Sequence, residues 1–389
     1  MPLVRIRDIN SRSTKVNYRG TFDKQYLLDD GDVLIGMDGD FNAVRWAGGR
    51  ALLNQRVCKI TADEERIDQG FLFHSLQPQL DLIHRRTPQT TVRHLSTDAI
   101  QSISLPGVPL PQQLRIAAIL DTLDDQIRST EQMISKLKLS RDGLIVELLT
   151  KGLEPFRTTV DRRRRETRVE QTIVGPIPGS WHVASLAAFQ RRERPYLKTG
   201  PFGSSLKQEH WVDEGIPVVT IGSLGEGVFI ESELLHVTPK TAARLSAYAL
   251  DAGDIVFSRV ADVGRSVVVG DRERDWIMSS NMMWISLDPS RADPRFVRAN
   301  IASNPYVRLQ IRRFVNSAGR DVANAKIMNL LQFPWPSLAE QVAIVDQIDS
   351  WDEEVVSEES RVAKLQLLKQ GLAMDLLTGR VRVRTGVIL

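Results

Sequence analysis

A long stretch occurs twice in this chain, and both copies have the pattern of a helix. Residues 136–150 read KLKLSRDGLIVELLT and residues 364–378 read KLQLLKQGLAMDLLT, with eight identical positions. The separation of 228 residues holds upstream without a gap, where Gln113 matches Gln341 and Asp124 matches Asp352. A gapless match of this length indicates that one structural unit is used twice.

In both copies apolar residues recur at alternating steps of three and four, which predicts two long helices with a coiled-coil seam. The seam is interrupted at Arg141 and at Lys369, the same place in each copy. Shared interruptions favour one helix packing on the other in fixed register, against the alternative of two ordinary core helices. The predicted helix-pair interface comprises Leu123, Ile127, Leu137, Leu144, Trp351, Val355, Leu365 and Leu372.

The predicted helix boundaries rest on local signals. The capping box Ser337-Leu-Ala-Glu340 predicts the start of the second helix, and Gly152 and Gly379 predict the two ends. Gly143 and Gly371 lie inside the helices, where glycine costs about 1 kcal/mol relative to alanine. Because glycine occurs in both copies, we expect the two helices to approach each other closely there.

The residues before each helix are also related, so the repeat is a domain plus a helix. LDDGDVL at 28–34 matches LDAGDIV at 250–256, and we expect Gly31-Asp32 to superpose on Gly253-Asp254. Residues 178–215 form a leading segment of the second domain that has no counterpart in the first. The predicted fold class is α+β, with two mixed α/β domains separated by two long antiparallel coiled-coil helices. The predicted bounds are 1–108 for the N-terminally short first domain, 109–152 for the first long helix, 153–177 for a linker, 178–335 for the second domain, 336–380 for the second long helix and 381–389 for a tail.

Composition bounds the classes of protein that this chain can belong to. Its 389 residues allow two or three domains. The net charge of +3 is too small to establish a nucleic-acid partner by itself. Cys58 is the only cysteine, which excludes an intramolecular disulfide and indicates a reducing, cytoplasmic location. No apolar run is long enough to span a membrane.

Basic residues beside glycine-rich or alternating segments are the candidates for binding DNA. Residues 198–207 read KTGPFGSSLK, a loop that could approach phosphates closely and offer a ring for wedging or stacking. The alternative is a tight turn with a buried Phe202. LVRIRDI at 3–9 alternates as a half-buried strand does. The DNA-binding candidates are Arg5, Arg7, Lys198, Gly200, Phe202, Gly203, Ser204, Lys207, Arg259, Arg265 and Arg320.

Sequence motifs give no positive case for catalysis, a cofactor or a metal. The chain contains no G-x-x-x-x-G-K-[ST] loop and no H-E-x-x-H pair. Asp30-Gly31-Asp32 and Asp251-Ala-Gly-Asp254 could hold a cation with two carboxylates, but this spacing favours a hairpin turn. The run Arg162–Arg165 is either a solvated connector or a phosphate contact.

Several motifs together resemble the specificity (S) subunit of type I restriction-modification enzymes. They are GPIPGSW at 175–181, TGPFGS at 199–204, LDAGD at 250–254, PWP at 334–336 with Glu340-Gln341, and LLTG at 376–379. The resemblance covers nearly the whole chain, and it departs at the N-terminus, where the first domain lacks the family's leading segment.

The resemblance implies that each domain is a target recognition domain for one half of a split double-stranded DNA sequence. It implies that the two helices set the gap between the half-sites and bind two methyltransferase subunits, which use S-adenosylmethionine. A restriction/translocase subunit would join this core. The S subunit itself would be no enzyme and would have no cofactor of its own.

Two further hypotheses remain open at this point. A protein-interaction adaptor with two binding domains on a coiled-coil spacer would bind partners regardless of DNA competitor. An enzyme with an unrecognised site would have a deep pocket with perturbed carboxylates. A DNA-reading scaffold predicts salt-dependent DNA binding.

Overall fold

The computed structural model describes residues 1–87, 93–153, 169–260, 265–317 and 324–383. The chain divides into two compact units, Met1–Ile134 with Ser357–Leu389, and Ser135–Val356. Each unit contains half of each long helix, together with the strands and short helices that we call its domain. In the described ranges, no helix is both long enough and apolar enough to cross a membrane.

The first domain is built from two small sheets and a helix that covers one of them. The described elements are β1 (Leu3–Val4), β2 (Leu27–Leu28), β3 (Val33–Gly36), β4 (Ala43–Arg45), β5 (Ala51–Leu53), β6 (Val57–Ile60), α1 (Gln69–Arg86) and α2 (Thr97–Gln101). One sheet has the order β1-β5-β2 and the other β4-β3-β6. Successive residues of β3 point to opposite faces, so Val33 and Ile35 pack against α1 while Leu34 packs toward β1 and β5.

The first long helix, α3 (Leu110–Lys151), leads into the larger second domain. This domain has two four-stranded sheets, β10-β17-β14-β15 and β11-β13-β12-β16, and the two-stranded sheets β7-β8 and β9-β18. The second long helix, α8 (Leu338–Leu377), follows. The remaining bounds are β7 (Val169–Thr172), β8 (Gly175–Pro178), β9 (His182–Ser185), β10 (Leu197–Thr199), β11 (Trp211–Val212), β12 (Ile216–Val219), β13 (Leu235–Val237), α4 (Pro239–Arg244), β14 (Ile255–Ser258), β15 (Ser266–Val268), β16 (Ile277–Met278), β17 (Met282–Ile285), α5 (Pro294–Ser303), α6 (Pro305–Ser317), α7 (Ala325–Leu330) and β18 (Gln332–Trp335).

The two domains share one topology, as the sequence repeat predicts. The order β4-β3-β6 in the first domain corresponds to β15-β14-β17 in the second. The parallel pair of β1 and β5 corresponds to the parallel pair of β12 and β16. The second domain is the more complete one, because β10 adds a fourth strand that has no equivalent among the described residues of the first.

The turn before the central strand confirms the predicted equivalence of Gly31-Asp32 and Gly253-Asp254. Both glycines have positive φ, +97° and +85°, a conformation that side chains disfavour. In each turn the carboxylate of the second aspartate accepts a 2.9 Å hydrogen bond from the backbone N–H three residues earlier. These are tight turns and not the predicted hairpins, because β2 and β3 lie in different sheets and no strand directly precedes the turn before β14, and Lys59 and Arg194 pair with their carboxylates.

Each domain is hydrogen-bonded to the long helix that follows it by a buried glutamine, and the two glutamines are equivalent in the repeat. Gln113 Oε1 accepts a 2.9 Å hydrogen bond from Asp68 N, and its Nε2 donates to Val108 O at 2.7 Å. Gln341 Oε1 accepts a 2.9 Å hydrogen bond from Asp293 N in the same way. Since Asp68 and Asp293 are the N-caps of α1 and α5, each glutamine fixes the start of a domain helix against a long helix.

The long helices pack antiparallel inside each unit, as predicted. In the first unit the early part of α3 packs with the late part of α8 and with α1, and in the second unit the late part of α3 packs with the early part of α8 and with α5. The first of these cores contains Phe71, Ile116, Ala117, Leu120, Leu376 and Leu377. The second contains the equivalent residues Phe296, Ile344, Val345, Ile348, Leu148 and Leu149.

The two charged interruptions of the seam form reciprocal ion pairs. Lys369 pairs with Asp124 in the first unit, and Arg141 pairs with Asp352 in the second. The hydrogen bond to Asp352 raises the pKa of the Arg141 guanidinium. The charged interruptions of the seam are therefore part of the helix–helix packing, because each cation of one helix pairs with an aspartate of the other.

The predicted interface residues are all buried or half-buried, with one prediction corrected. Leu123, Ile127 and Val355 are buried, whereas Trp351 is half-buried rather than largely buried. Trp351 occupies the position of Leu123 in the second copy, and its larger ring extends beyond the seam.

The prediction of close helix approach at Gly143 and Gly371 is wrong. Both glycines are exposed, and a Cβ added to either would meet no atom within 4 Å. The terminal glycines behave as predicted, because Gly152 and Gly379 end the helices with φ of +66° and +72°.

Two other sequence predictions need correction. The strand predicted over residues 3–9 ends at Val4, because Asp8 accepts a hydrogen bond from the backbone N–H of Arg5 and closes a 3₁₀ turn. The predicted linker 153–177 contains most of the β7-β8 hairpin, whose Val174 and Ile177 are buried against the helix pair. The run Arg162–Arg165 lies outside the described residues.

The core of the helix pair can be tested by truncating leucines of different burial. Leu120 is fully buried, so Leu120→Ala should lower the free energy of unfolding by about 2–5 kcal/mol. Leu137→Ala, which truncates a half-buried side chain, should cost less. Urea unfolding followed by circular dichroism measures both effects.

Leu139→Ala is the matched control for these truncations, because Leu139 lies on the same helix and is 75% exposed. Its unfolding midpoint should equal that of the unaltered chain. Equal midpoints for Leu120→Ala and Leu139→Ala would contradict the described packing.

Candidate nucleic-acid interface

The second domain gathers predicted DNA-binding residues at one end of its β10-β17-β14-β15 sheet. Gly200 follows β10 and donates its N–H to Met282 O at 3.0 Å. Arg259 follows β14 and donates its N–H to Asn281 O at 3.1 Å, and Arg265 directly precedes β15. The loop that begins at Gly200 and the two arginines therefore share one sheet end.

The phenylalanine of this loop projects into solvent. Phe202 is 86% exposed, so the alternative of a tight turn around a buried ring is wrong. The adjacent Pro201 is buried, which anchors the base of the loop, and Gly203 is exposed at the start of a 3₁₀ turn, Gly203–Ser205. The side chain of Ser204 lies outside the described part of the structure. An exposed aromatic ring on an anchored loop is suited to stacking on, or wedging between, bases.

Gly200 makes a close contact within the chain that the sequence pattern did not indicate. A Cβ at this position would lie 1.8 Å from the backbone oxygen of Ser279. Glycine is therefore required here for a close approach to the chain's own backbone, and its approach to phosphate stays a prediction.

The two lysines that flank the loop, Lys198 and Lys207, differ in the groups that surround their ammonium ions. The Lys198 ammonium lies 4.9 Å from the centre of the Tyr248 ring and 5.5 Å from that of Trp284, within cation–π range. Lys207 is exposed, and its nearest carboxylate oxygen, on Glu209, is 4.0 Å away. Lys207 is the better placed of the two to meet a phosphate.

The two DNA-binding candidates of the first domain, Arg5 and Arg7, also differ in their contacts and exposure. Arg5 is tied to Asp8 by a 3.0 Å ion pair within its own turn. Arg7 is exposed and lines a groove beside the loop that joins β3 and β4, which is the equivalent end of the first-domain sheet. Arg320 lies outside the described residues.

The fold adds basic residues that no sequence motif marks. Arg56 directly precedes β6 at the same sheet end, and it pairs with Asp38, which also hydrogen-bonds His94. In the second domain Arg298 and Arg308 line a cleft with Arg265. Burial lowers the pKa of Arg298. Only tertiary structure brings these side chains together, so spacing along the chain gives no signal for them.

One cluster in the first unit has the composition of a metal site. His74 Nε2 lies 2.7 Å from Asp121 Oδ1, and Asp124 is close by. Arg45 already pairs with Asp121, and Lys369 with Asp124. Burial lowers the pKa of His74, which favours the neutral imidazole. Since Asp121 and Asp124 already have cationic partners, the cluster is an ion-pair network between the first domain and the long helices of its unit.

Three comparisons agree on what this chain resembles. The family model "Type I restriction modification DNA specificity domain" matches residues 1–139 and 201–367. The EcoBI specificity subunit of Escherichia coli is 29% identical over 356 residues, which cover 90% of this chain and 72% of the relative. The MjaVIII specificity subunit of Methanocaldococcus jannaschii is 20% identical over 365 residues, covering 93% and 81%.

Solved structures show the same fold at low sequence identity. The S subunit of a type I system from M. genitalium superposes with a TM-score of 0.55 at 14% identity, over 90% of this chain and 83% of that one. A chain from a study of complex assembly in the type I R-M system gives a TM-score of 0.54 at 17% identity, over 91% and 83%. Because the family model matches more than half of the residues, this chain belongs to the type I restriction-modification DNA specificity family.

Proposed function

We propose that this chain is the DNA-reading specificity subunit of a type I restriction-modification complex, and that each domain reads one half of a split target. The observation that carries the proposal is the anchored loop that holds Phe202 in solvent at the same sheet end as Arg259 and Arg265. The proposed reading domains correspond to residues 1–108 and 178–335. The proposed location is the cytoplasm, the reducing setting that the single cysteine indicates.

The side chains at this sheet end suit different parts of a duplex. Arginine can contact the O6 and N7 atoms of guanine in the major groove, which gives sequence information. Lys207 can neutralise a phosphate, which gives affinity without sequence information. The Phe202 ring can enter a base step and unstack it.

The long helices offer a repeated surface to protein partners. Leu139, Gly143 and Val146 lie on one face of α3 at spacings of four and three, and Leu367, Gly371 and Met374 occupy the equivalent face of α8. Leu139 and Leu367 are 75% and 69% exposed. An exposed glycine costs helix stability, and here it leaves a shallow place between two apolar side chains on each helix.

We propose that these two equivalent surfaces each bind one methyltransferase subunit. Two copies of one partner fit because one surface lies in each unit and the residues correspond. In this scheme the methyltransferase subunits supply the S-adenosylmethionine chemistry, a restriction/translocase subunit completes the complex, and the specificity chain carries no catalytic residue.

The DNA-facing end can be tested by removing charge. Lys207→Ala combined with Arg259→Ala should weaken binding to DNA. Each lost phosphate contact should reduce the slope of log K against log salt by about one. Fluorescence anisotropy at several salt concentrations measures affinity and slope together.

Arg272→Ala combined with Arg274→Ala is the matched control. These arginines pair with Glu231, Asp251 and Asp271, and they follow the end of β15 that is opposite to Arg265. The control should keep the affinity and the salt slope. The proposed face is wrong if both double variants behave alike.

The partner surfaces can be tested with single charges. Leu139→Asp and Leu367→Asp should each reduce the number of bound methyltransferase subunits from two to one, and the double variant should bind none. Native mass spectrometry of the purified complex counts the subunits. Met133→Asp is the control, since Met133 is 41% exposed on a different side of α3. A single variant that loses both subunits, or neither, would refute two independent surfaces.

A further inference from the structure

A cleft of the second unit lies between α3, α5 and the loop that joins β12 to β13. Its volume is about 580 Å³, and four arginines and only two carboxylates, Asp142 and Glu226, are among the residues that line it. The arginines are half-buried, and they are Arg141, Arg265, Arg298 and Arg308. The cleft therefore concentrates positive charge between low-dielectric walls, which favours an anionic ligand.

Two of these arginines, Arg298 and Arg308, lack an acidic partner in the described part of the structure. No carboxylate oxygen described there lies within 4.0 Å of either guanidinium. Arg308 donates to the backbone oxygen of Ala302 at 2.8 Å. Burial lowers the pKa of Arg298, although more distant carboxylates such as Asp352 attract its charge. A half-buried cation of this kind is stabilised when a carboxylate binds beside it.

The loop between β12 and β13 leaves room for the Arg298 guanidinium. Gly227 of this loop has a positive φ of +80°, and a Cβ added to it would lie 2.4 Å from a guanidinium nitrogen of Arg298. Glycine at this position therefore keeps open the space that the guanidinium occupies. Because the cation is already positioned, the protein loses little side-chain entropy when an anion binds.

Apolar side chains also line the cleft and connect it to the exposed face of α3. They are Ile145, Val146, Leu224 and Ile230. Val146 is 37% exposed, and it belongs to the proposed methyltransferase surface of α3 as well as to the cleft. The cleft and that surface are therefore continuous.

This combination of charged and apolar groups suits a protein segment better than a DNA backbone. DNA presents its phosphates and sugars on a stiff duplex and has no apolar side chain to offer. An aspartate or glutamate reaches into a cleft on its own side chain, and the next residue of its segment can be apolar. Arginine beside apolar groups in a partly desolvated pocket is typical of protein–protein interfaces.

We propose that this cleft binds an aspartate or glutamate side chain of the methyltransferase subunit that docks on α3. The carboxylate accepts hydrogen bonds from Arg298 and Arg308, and an apolar residue of the same segment packs on Val146 and Ile230. This contact rests on the proposed function, since it needs a methyltransferase subunit on α3. It adds the place and the chemistry of the contact.

The corner of the first unit that corresponds to this cleft has a different chemistry. Counted from the N-caps Asp68 and Asp293, Phe73 stands in the place of Arg298. The cleft that Phe73 lines contains five carboxylates and four cations, so it has no surplus of positive charge. A methyltransferase subunit on α8 should therefore lack this contact.

The test measures one methyltransferase subunit at a time on the full chain. Leu367→Asp is expected to leave only the surface of α3 for binding, and Leu139→Asp only that of α8. In the Leu367→Asp chain, Arg298→Gln should weaken methyltransferase binding about tenfold or more, because it leaves the partner's carboxylate without its cation. In the Leu139→Asp chain the same change should have no effect. Isothermal titration calorimetry measures both affinities.

Two further variants separate the loss of charge from a loss of folding. Arg298→Lys keeps a cation in the cleft and should bind the methyltransferase subunit more tightly than Arg298→Gln does. Arg272→Gln removes an arginine that pairs with Glu231 outside the cleft, and it should leave the affinity of the Leu367→Asp chain unchanged.

A photocrosslink identifies the segment that enters the cleft. Ile230 is 38% exposed, and Ile230→p-benzoylphenylalanine should crosslink to a methyltransferase segment that contains an aspartate or glutamate. Changing that carboxylate to its amide should weaken binding to the Leu367→Asp chain. Once Arg298→Gln is also present, the amide should cause no further loss, because the two groups form one contact.

Three results would overturn the proposal. They are an unchanged affinity after Arg298→Gln in the Leu367→Asp chain, additive losses from Arg298→Gln and the partner's amide, and a loss of DNA affinity by Arg298→Gln with full methyltransferase affinity. The last result would identify a DNA phosphate as the occupant. A Leu367→Asp chain that binds two methyltransferase subunits, or none, would contradict the proposed function itself and this site with it.

Discussion

The structure depends on one packing arrangement that the chain makes twice. In each unit half of one long helix runs antiparallel to half of the other, and a domain phenylalanine, Phe71 or Phe296, enters the shared core. A buried glutamine at the start of each long helix holds the N-cap of the domain helix through a backbone hydrogen bond. Since the side chain of this glutamine both accepts and donates, it fixes the position of the domain without burying a charge. The reciprocal ion pairs then set the register of the helices within each unit.

The two domains pack on the long helices in the same way, but they differ in their surface residues. The sheet end of the second domain presents an exposed ring and several arginines. At the equivalent end of the first domain a carboxylate, Asp38, contacts Arg56 and His94. Two readers with a common fold and different surface chemistry are what a split and asymmetric target requires. The helix faces show the opposite behaviour. They keep exposed leucine and glycine at equivalent places, as the proposed binding of two copies of one partner requires.

Much of the fold could be predicted from the sequence because it follows from periodicity and repetition. The helices, their glycine ends, the shared topology and the aspartate turn all depend on local spacing. The failures concern tertiary environment. Gly143 has the same sequence signal whether it faces a neighbouring helix or solvent, and Gly200 has the same signal whether it approaches a phosphate or its own backbone. Whether Phe202 is buried depends on neighbours that are distant along the chain. Arg265, Arg298 and Arg308 line one cleft but have no regular spacing along the sequence, so only the fold brings them together.

The central claim is that each domain reads one half of a split target on a common support. It is tested most directly by exchanging the second domain alone. Residues 178–335 are replaced by the corresponding domain of the Escherichia coli relative, the chain is purified with active methyltransferase subunits, and the methylated bases are mapped. The account predicts that one half of the recognised sequence changes to that of the relative while the other half stays the same. A change in both halves, or in neither, by a folded and active complex would contradict it.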